Sequence, residues 1–173
     1  DLLPDDSGSP WHLQDDALSV LDRMDFDLLI AHPPCTYLCA SGLHWNKRRP
    51  ERDAQTAEAL AFVEALMNAN VSRIAIENPV GRIGTAIRPA DQYIQPYEFG
   101  HDASKRTGLW LKNLPPLLPT QTVAPRMVDG RPRWANQTDS GQNRLAPSAD
   151  RWRERSKTYE GIAEAMADQW GSL

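Results

Sequence analysis

"FDLLIAHPPC", residues 26–35, is the stretch on which the fold turns. Residues 26–31 are a short, near-continuous apolar run, the pattern of a strand covered on both faces. The run stops at Pro33-Pro34, because proline lacks the N–H that a central strand must donate. "VSRIAIENP" (71–79) repeats the design, with an apolar run, the polar pair Glu77-Asn78, and then Pro79. Between them "AQTAEALAFVEALMNAN" (54–70) has a 3.6-residue apolar period, with Ala57, Leu60, Ala61, Val63 and Leu66 clustering on one side. Strand, helix and strand in that order predict a βαβ unit with a parallel sheet and a right-handed crossover. Ligands of such sheets sit outside the carboxyl ends of the strands. If the two strands are neighbours, Cys35 and Glu77 share one rim.

Outward from this core, "DALSVLDRM" (16–24) carries apolar residues at helical spacing. "YIQPYEFG" (93–100) and "TGLWLKN" (107–113) read as strands joined by the basic turn 101–106, and "LPPLLPT" as a proline-rich cover segment. Residues 126–157 read as a long irregular region, and "YEGIAEAMADQWG" (159–171) as a closing helix. The expected architecture is α/β and one domain over 1–173. Residues 1–90 form its catalytic core, and 91–173 supply the later strands, a basic loop and the last helix.

A chain of 173 residues, 40% hydrophobic, has enough apolar material for one real core. Its net charge of −4 excludes a surface that is basic throughout, so any nucleic-acid contact must come from a local patch. Residues 126–157 offer that patch. Arg126, Arg131, Arg133, Arg144, Arg151, Arg153, Arg155 and Lys157 face only four acids there. Trp134 and Trp152 are interleaved, and Asn136, Gln137, Gln142 and Asn143 are of the type that reads base edges. Cys35 and Cys39 are the only cysteines. They are too close in sequence to close a stabilising loop, which points to reduced thiols in a cytoplasmic compartment. No apolar run reaches the roughly 18 residues of a membrane span.

"HPPC" after one buried strand and "ENP" after the next resemble the DNA cytosine-5 methyltransferases, which pair a Pro-Cys nucleophile motif with a Glu-Asn motif. The segments "DLLP", "IAHPPCTYL", "IENPVG", "SKRTGLWLKNLPPL" and "YEGIAEAMADQWG" are similar to the small phage and prophage members, so the likeness covers most of the chain. It implies a Rossmann-like class I methyltransferase sheet and transfer of a methyl group from S-adenosylmethionine to C5 of cytosine in DNA. Carbon 5 is a weak nucleophile, and a thiolate adding at C6 turns the ring into an enamine that attacks an electrophilic methyl group. The resemblance implies Cys35 as that thiolate, with Pro34 holding it. Glu77 is the carboxyl at N3 and the exocyclic amine, and Asn78 positions the loop. The base must leave the duplex to be reached.

The same resemblance implies base or phosphate contacts at Lys105 and Arg106, and the basic stretch 126–157 independently offers Arg144, Arg151, Arg153 and Arg155 to the DNA. It implies Asp1 at the ribose hydroxyls of the cofactor, Asp16 at the adenine amine, and His32 and Pro33 beside them. The glycine-containing first strand and loop that cradle the methionine part in that family have no counterpart here. The expectation is therefore a sheet incomplete on its N-terminal side, completed by an upstream segment or a second subunit.

Three other readings compete. His32, Cys35, Cys39 and His44 have spacing that suits zinc, with Cys39 otherwise a small packing residue. An amino-group methyltransferase would want an acidic or amide residue before the prolines and an aromatic after them, where this chain has His32 and Cys35. A catalytically inactive, methyltransferase-like nucleic-acid-binding protein would keep the fold and need neither Cys35 nor Glu77.

Overall fold

The computed structural model covers residues 1–173. It describes all of them except Asp1, Asp6, Ser7, His44, Lys47, Pro147, Ala149 and Asp150, together with the side chains of Trp152 and Arg153. The elements are α1 (Ala17–Arg23), β1 (Leu28–Ala31), α2 (Ala40–Leu43), α3 (Glu51–Met67), β2 (Arg73–Pro79), α4 (Ile83–Ala86), β3 (Gln92–Ile94), β4 (Thr107–Lys112), β5 (Arg126–Val128), β6 (Arg131–Arg133), α5 (Arg151–Ser156) and α6 (Glu160–Trp170).

Four strands form one mixed sheet in the order β1-β2-β4-β3, and β5-β6 make a separate two-stranded ribbon. The apolar runs of β1 and β2 pair in parallel, Leu28 opposite Arg73 through Ala31 opposite Ile76, as the βαβ pattern predicts. The rest departs from a parallel sheet. β4 runs against β2, Glu77 opposite Leu109 and Asn78 opposite Gly108, and β3 runs against β4. Alternation along the strands then feeds two cores, because successive side chains point to opposite faces. Ala75 and Leu109 pack with Phe99, Leu117, Ile162, Met166 and Trp170 under α6. Ile74, Ile76 and Trp110 pack with Val63, Leu66 and Ile83 under α3 and α4, with Leu18 and Leu21 of α1 against them. α6 closes its own core with the Trp170 indole N–H donated to the Pro115 carbonyl at 3.1 Å.

Three sequence expectations are corrected here. The buried stripe of α3 is Thr56, Val63 and Leu66, while Ala57 and Ala61 face solvent. The run 93–100 is strand only to Ile94. Pro96 opens a 3₁₀ turn, fixed by a reciprocal capping pair between Gln95 and Glu98. The region 126–157 contains ordered pieces, the β5-β6 ribbon and α5. The ribbon turns at Asp129 (φ 48°) and Gly130 (φ 72°), the two left-handed residues a tight hairpin needs. Among the described residues no helix is long and apolar enough to cross a membrane.

Candidate active site

β1 delivers His32, Pro33, Pro34 and Cys35 to the carboxyl end of the sheet, and β2 delivers Glu77, Asn78 and Pro79 beside them. Cys35 opens a 3₁₀ turn, Cys35–Tyr37, with Pro34 as its preceding cap. That turn is held from three sides. Asn78 Nδ2 donates to the Pro33 carbonyl at 2.7 Å, tying the Pro-Pro corner to β2. Its Oδ1 is buried and finds no hydrogen-bond partner among the described residues. From α3, Thr56 Oγ1 donates to the Tyr37 carbonyl and Arg52 Nη2 to that of Thr36, while the Arg52 guanidinium lies 4.7 Å over the Tyr37 ring. From the loop after β2, Arg82 N–H donates to the Leu38 carbonyl, and Ala40 N–H donates to the Val80 carbonyl. Gly81 is required at this crossing, since a Cβ there would sit 2.0 Å from the Leu38 carbonyl oxygen.

Cys35 faces a cleft of about 880 Å³. One wall is Cys35, Cys39, Ser41, Pro79 and Val80. The other comes from two loops and the last helices: Ser104, Lys105, Arg106, Asn136, Asn143, Arg144, Leu145, Glu154, Arg155, Lys157, Thr158 and Tyr159. Five cations thus face a single carboxylate, which is itself bonded to Lys157 at 2.9 Å. Excess positive charge around a cleft attracts a polyanion.

Lys105, Arg106, Arg144 and Arg155 therefore meet Cys35 around one space. Arg106 stacks 4.1 Å over the Tyr93 ring, and Lys105 Nζ donates to the Arg155 carbonyl at 3.3 Å. Arg144 Nε donates to the Gln137 carbonyl at 2.8 Å. Arg151 begins α5 and is not part of the cleft wall, and the Arg153 side chain lies outside the described residues.

Several amides expected at base edges are used inside the protein instead. Asn136 makes a two-way pair with Ser104, accepting from its N–H at 3.0 Å and donating to its carbonyl at 2.9 Å. Gln137 Oε1 accepts from Trp134 N–H, and Asn143 Oδ1 accepts from Leu145 N–H. These contacts build the loop wall. Trp134 is likewise structural, stacked 4.2 Å from Tyr97.

Glu77 is not part of the cleft wall. Its Oε2 is 2.9 Å from His32 Nδ1, with the two side chains 16% and 37% exposed. The cofactor residues inferred from the family resemblance are also engaged elsewhere. Asp16 caps α1, its Oδ1 accepting from the Ser19 N–H and hydroxyl, both at 2.9 Å. His32 holds Glu77, the Pro33 carbonyl takes the Asn78 amide, and Asp1 lies outside the described residues. None of Asp16, His32 and Pro33 lines the cleft.

The residue that the sequence undervalued is Cys39. It is no mere packing residue, since it lines the cleft beside Cys35. The neighbouring Cys35 thiol holds the Cys39 thiol well below the ordinary range against the cost of burial, with help from Ser41, the Gly42 N–H and Arg155. Cys35 is pushed up by the neighbouring Cys39 thiol and by burial, while Lys105 and Arg155 pull the other way. The two shifts favour the proton on Cys35 and the thiolate on Cys39. The sign of this pairing was in the sequence as a spacing of four, which puts two side chains on one face of a helical turn. The zinc reading gains nothing, because His32 is turned to Glu77 and His44 lies outside the described residues. Among those residues no group of three or more histidine, cysteine or acidic side chains is arranged to hold a metal. Comparison of the chain with protein families, with curated proteins and with solved structures finds no match.

Proposed function

We propose that this chain is a DNA cytosine-5 methyltransferase, acting through a covalent adduct between Cys35 and C6 of a flipped cytosine. The observation that carries the reading is the parallel pairing of β1 with β2, Ala31 opposite Ile76, which brings the Pro-Pro-Cys corner and the Glu-Asn pair to one rim. The Asn78 bond to Pro33 and the cationic cleft in front of Cys35 support it.

In this reading the duplex lies along Lys105, Arg106, Arg144 and Arg155, whose charges meet phosphates, and a flipped cytosine enters the cleft. Cys35 passes its proton to Cys39 as its sulfur bonds to C6. Electron density moves onto the ring, where an acid at N3 stabilises it. Glu77 has the chemistry for that task and must turn from His32 to reach the base. S-adenosylmethionine would supply the methyl group.

The engagement of Glu77 with His32 favours a second reading, a methyltransferase-like protein that binds nucleic acid without catalysis. A covalent trap separates the two. The protein is incubated with S-adenosylmethionine and duplex DNA containing 5-fluorocytosine, then denatured and weighed. The transferase reading expects a protein–DNA adduct that Cys35→Ser abolishes. DNA that is bound and never linked would sink it in favour of the binding module.

A further inference from the structure

We propose that Cys35 and Cys39 form a peroxide-sensitive dithiol, in which Cys39 is the oxidised sulfur and Cys35 closes a disulfide onto it. The inference goes beyond the transferase reading and needs neither DNA nor a methyl donor.

The geometry is that of one helical turn. Cys39 N–H donates to the Cys35 carbonyl at 2.9 Å, which sets the two Cα atoms about 6 Å apart. Disulfides span Cα separations of roughly 4.4–6.8 Å, so the pair lies within bridging range once the turn adjusts to bring the two Cβ atoms together. Both thiols are partly exposed and both line the same cleft. Ser41 Oγ lies 3.2 Å from Cys39 Sγ, and Arg155 and Lys105 bring positive charge to the pair. Such surroundings favour the thiolate at Cys39, and the thiolate is the form that hydroperoxides attack.

The chemistry balances with a hydroperoxide as the oxidant. The Cys39 thiolate takes one peroxide oxygen, the O–O bond breaks, and the other oxygen leaves as water after gaining a proton. Cys35 then bonds to the Cys39 sulfur, the S–O bond breaks, and hydroxide leaves with the Cys35 proton as a second water. Two electrons pass from the sulfurs to the peroxide. A bridged Cys35 is no longer a nucleophile, so oxidation closes the site and a dithiol reductant reopens it.

The test treats the reduced 173-residue chain with equimolar hydrogen peroxide and follows intact mass and peptide maps. The expected result is loss of the mass of two hydrogens, a link within the single peptide carrying both cysteines, and recovery with dithiothreitol. Cys35→Ser should stop at a sulfenic acid on Cys39 that dimedone captures. Ser41→Ala, a milder change, should slow bridging by about threefold to tenfold. Oxygen added to either sulfur of the wild-type chain without a bridge, or bridges only between molecules, would overturn the proposal. If bridging occurs but the reduced chain never forms the fluorocytosine adduct, the transferase reading fails and the dithiol stands.

Discussion

The two walls of the cleft are built by different means. The Cys35 wall is tied to the sheet, with backbone bonds from Arg82 and Ala40, an amide from Asn78, and a glycine where two strands of chain cross. The opposite wall hangs on side chains of loops, chiefly the Asn136–Ser104 pair and the Lys105 bond to the Arg155 carbonyl. A rigid wall suits a nucleophile, which must be held close to its reacting position. A wall of loops suits a long anion, whose contacts are electrostatic and tolerant of small shifts. The difference assigns chemistry to one side and affinity to the other, and each side can be damaged alone.

The largest expected effect is on chemistry. Cys35→Ser should lower adduct formation by about 10³-fold or more and leave DNA affinity within about twofold, read by denaturing mass spectrometry and by fluorescence anisotropy. Next is the crossing behind it. Gly81→Ala forces a Cβ onto the Leu38 carbonyl and should cost about 2–4 kcal/mol in urea unfolding, a loss the loop wall has no counterpart for. Asn136→Ala should cost less, about 1–2 kcal/mol, and weaken DNA binding while Cys39 keeps its reactivity toward iodoacetamide. Lys105→Ala should be smallest, lowering affinity uniformly across DNA sequences and reducing the salt slope by about one. A loss of adduct in Lys105→Ala as large as in Cys35→Ser would erase the division between the walls.

The thiol pair gives a pH signature on the rigid side. The charged groups that line the cleft with it are Lys105, Arg106, Arg144, Glu154, Arg155 and Lys157. Because the neighbouring Cys35 thiol lowers Cys39, its thiolate persists as pH falls below the usual thiol value of about 8.5, and is lost only at lower pH. Iodoacetamide should therefore label Cys39 at pH values where Cys39→Ser leaves the chain almost unreactive. Equal pH midpoints in the two proteins would contradict the thiolate on Cys39.

The rigid wall was also the legible one. Apolar runs stopped by prolines mark β1 and β2, and helical periods mark α3 and α6, because burial on known faces leaves a repeat in the sequence. Cys35 and Glu77 followed from where those strands end. The loop wall left no such trace. Asn136 looks like a base reader, and nothing local shows that its partner is Ser104, on the other side of the ribbon. The antiparallel half of the sheet was hidden for the same reason, since β4 gains its place only through pairing with β2. Two signals were present and underweighted. Asp129-Gly130 announces a hairpin, and a four-residue cysteine spacing announces one face of a turn.

The most direct test of Cys35 as a cytosine nucleophile needs no methyl donor. Reversible addition at C6 lets the C5 hydrogen trade with solvent, so the protein is mixed with duplex DNA in heavy water and the cytosines are weighed after digestion. Deuterium at C5 with the wild-type chain, and none with Cys35→Ser, is the expected result. Cytosine that stays unlabelled on DNA the protein demonstrably binds would contradict the assignment of Cys35 as the attacking group.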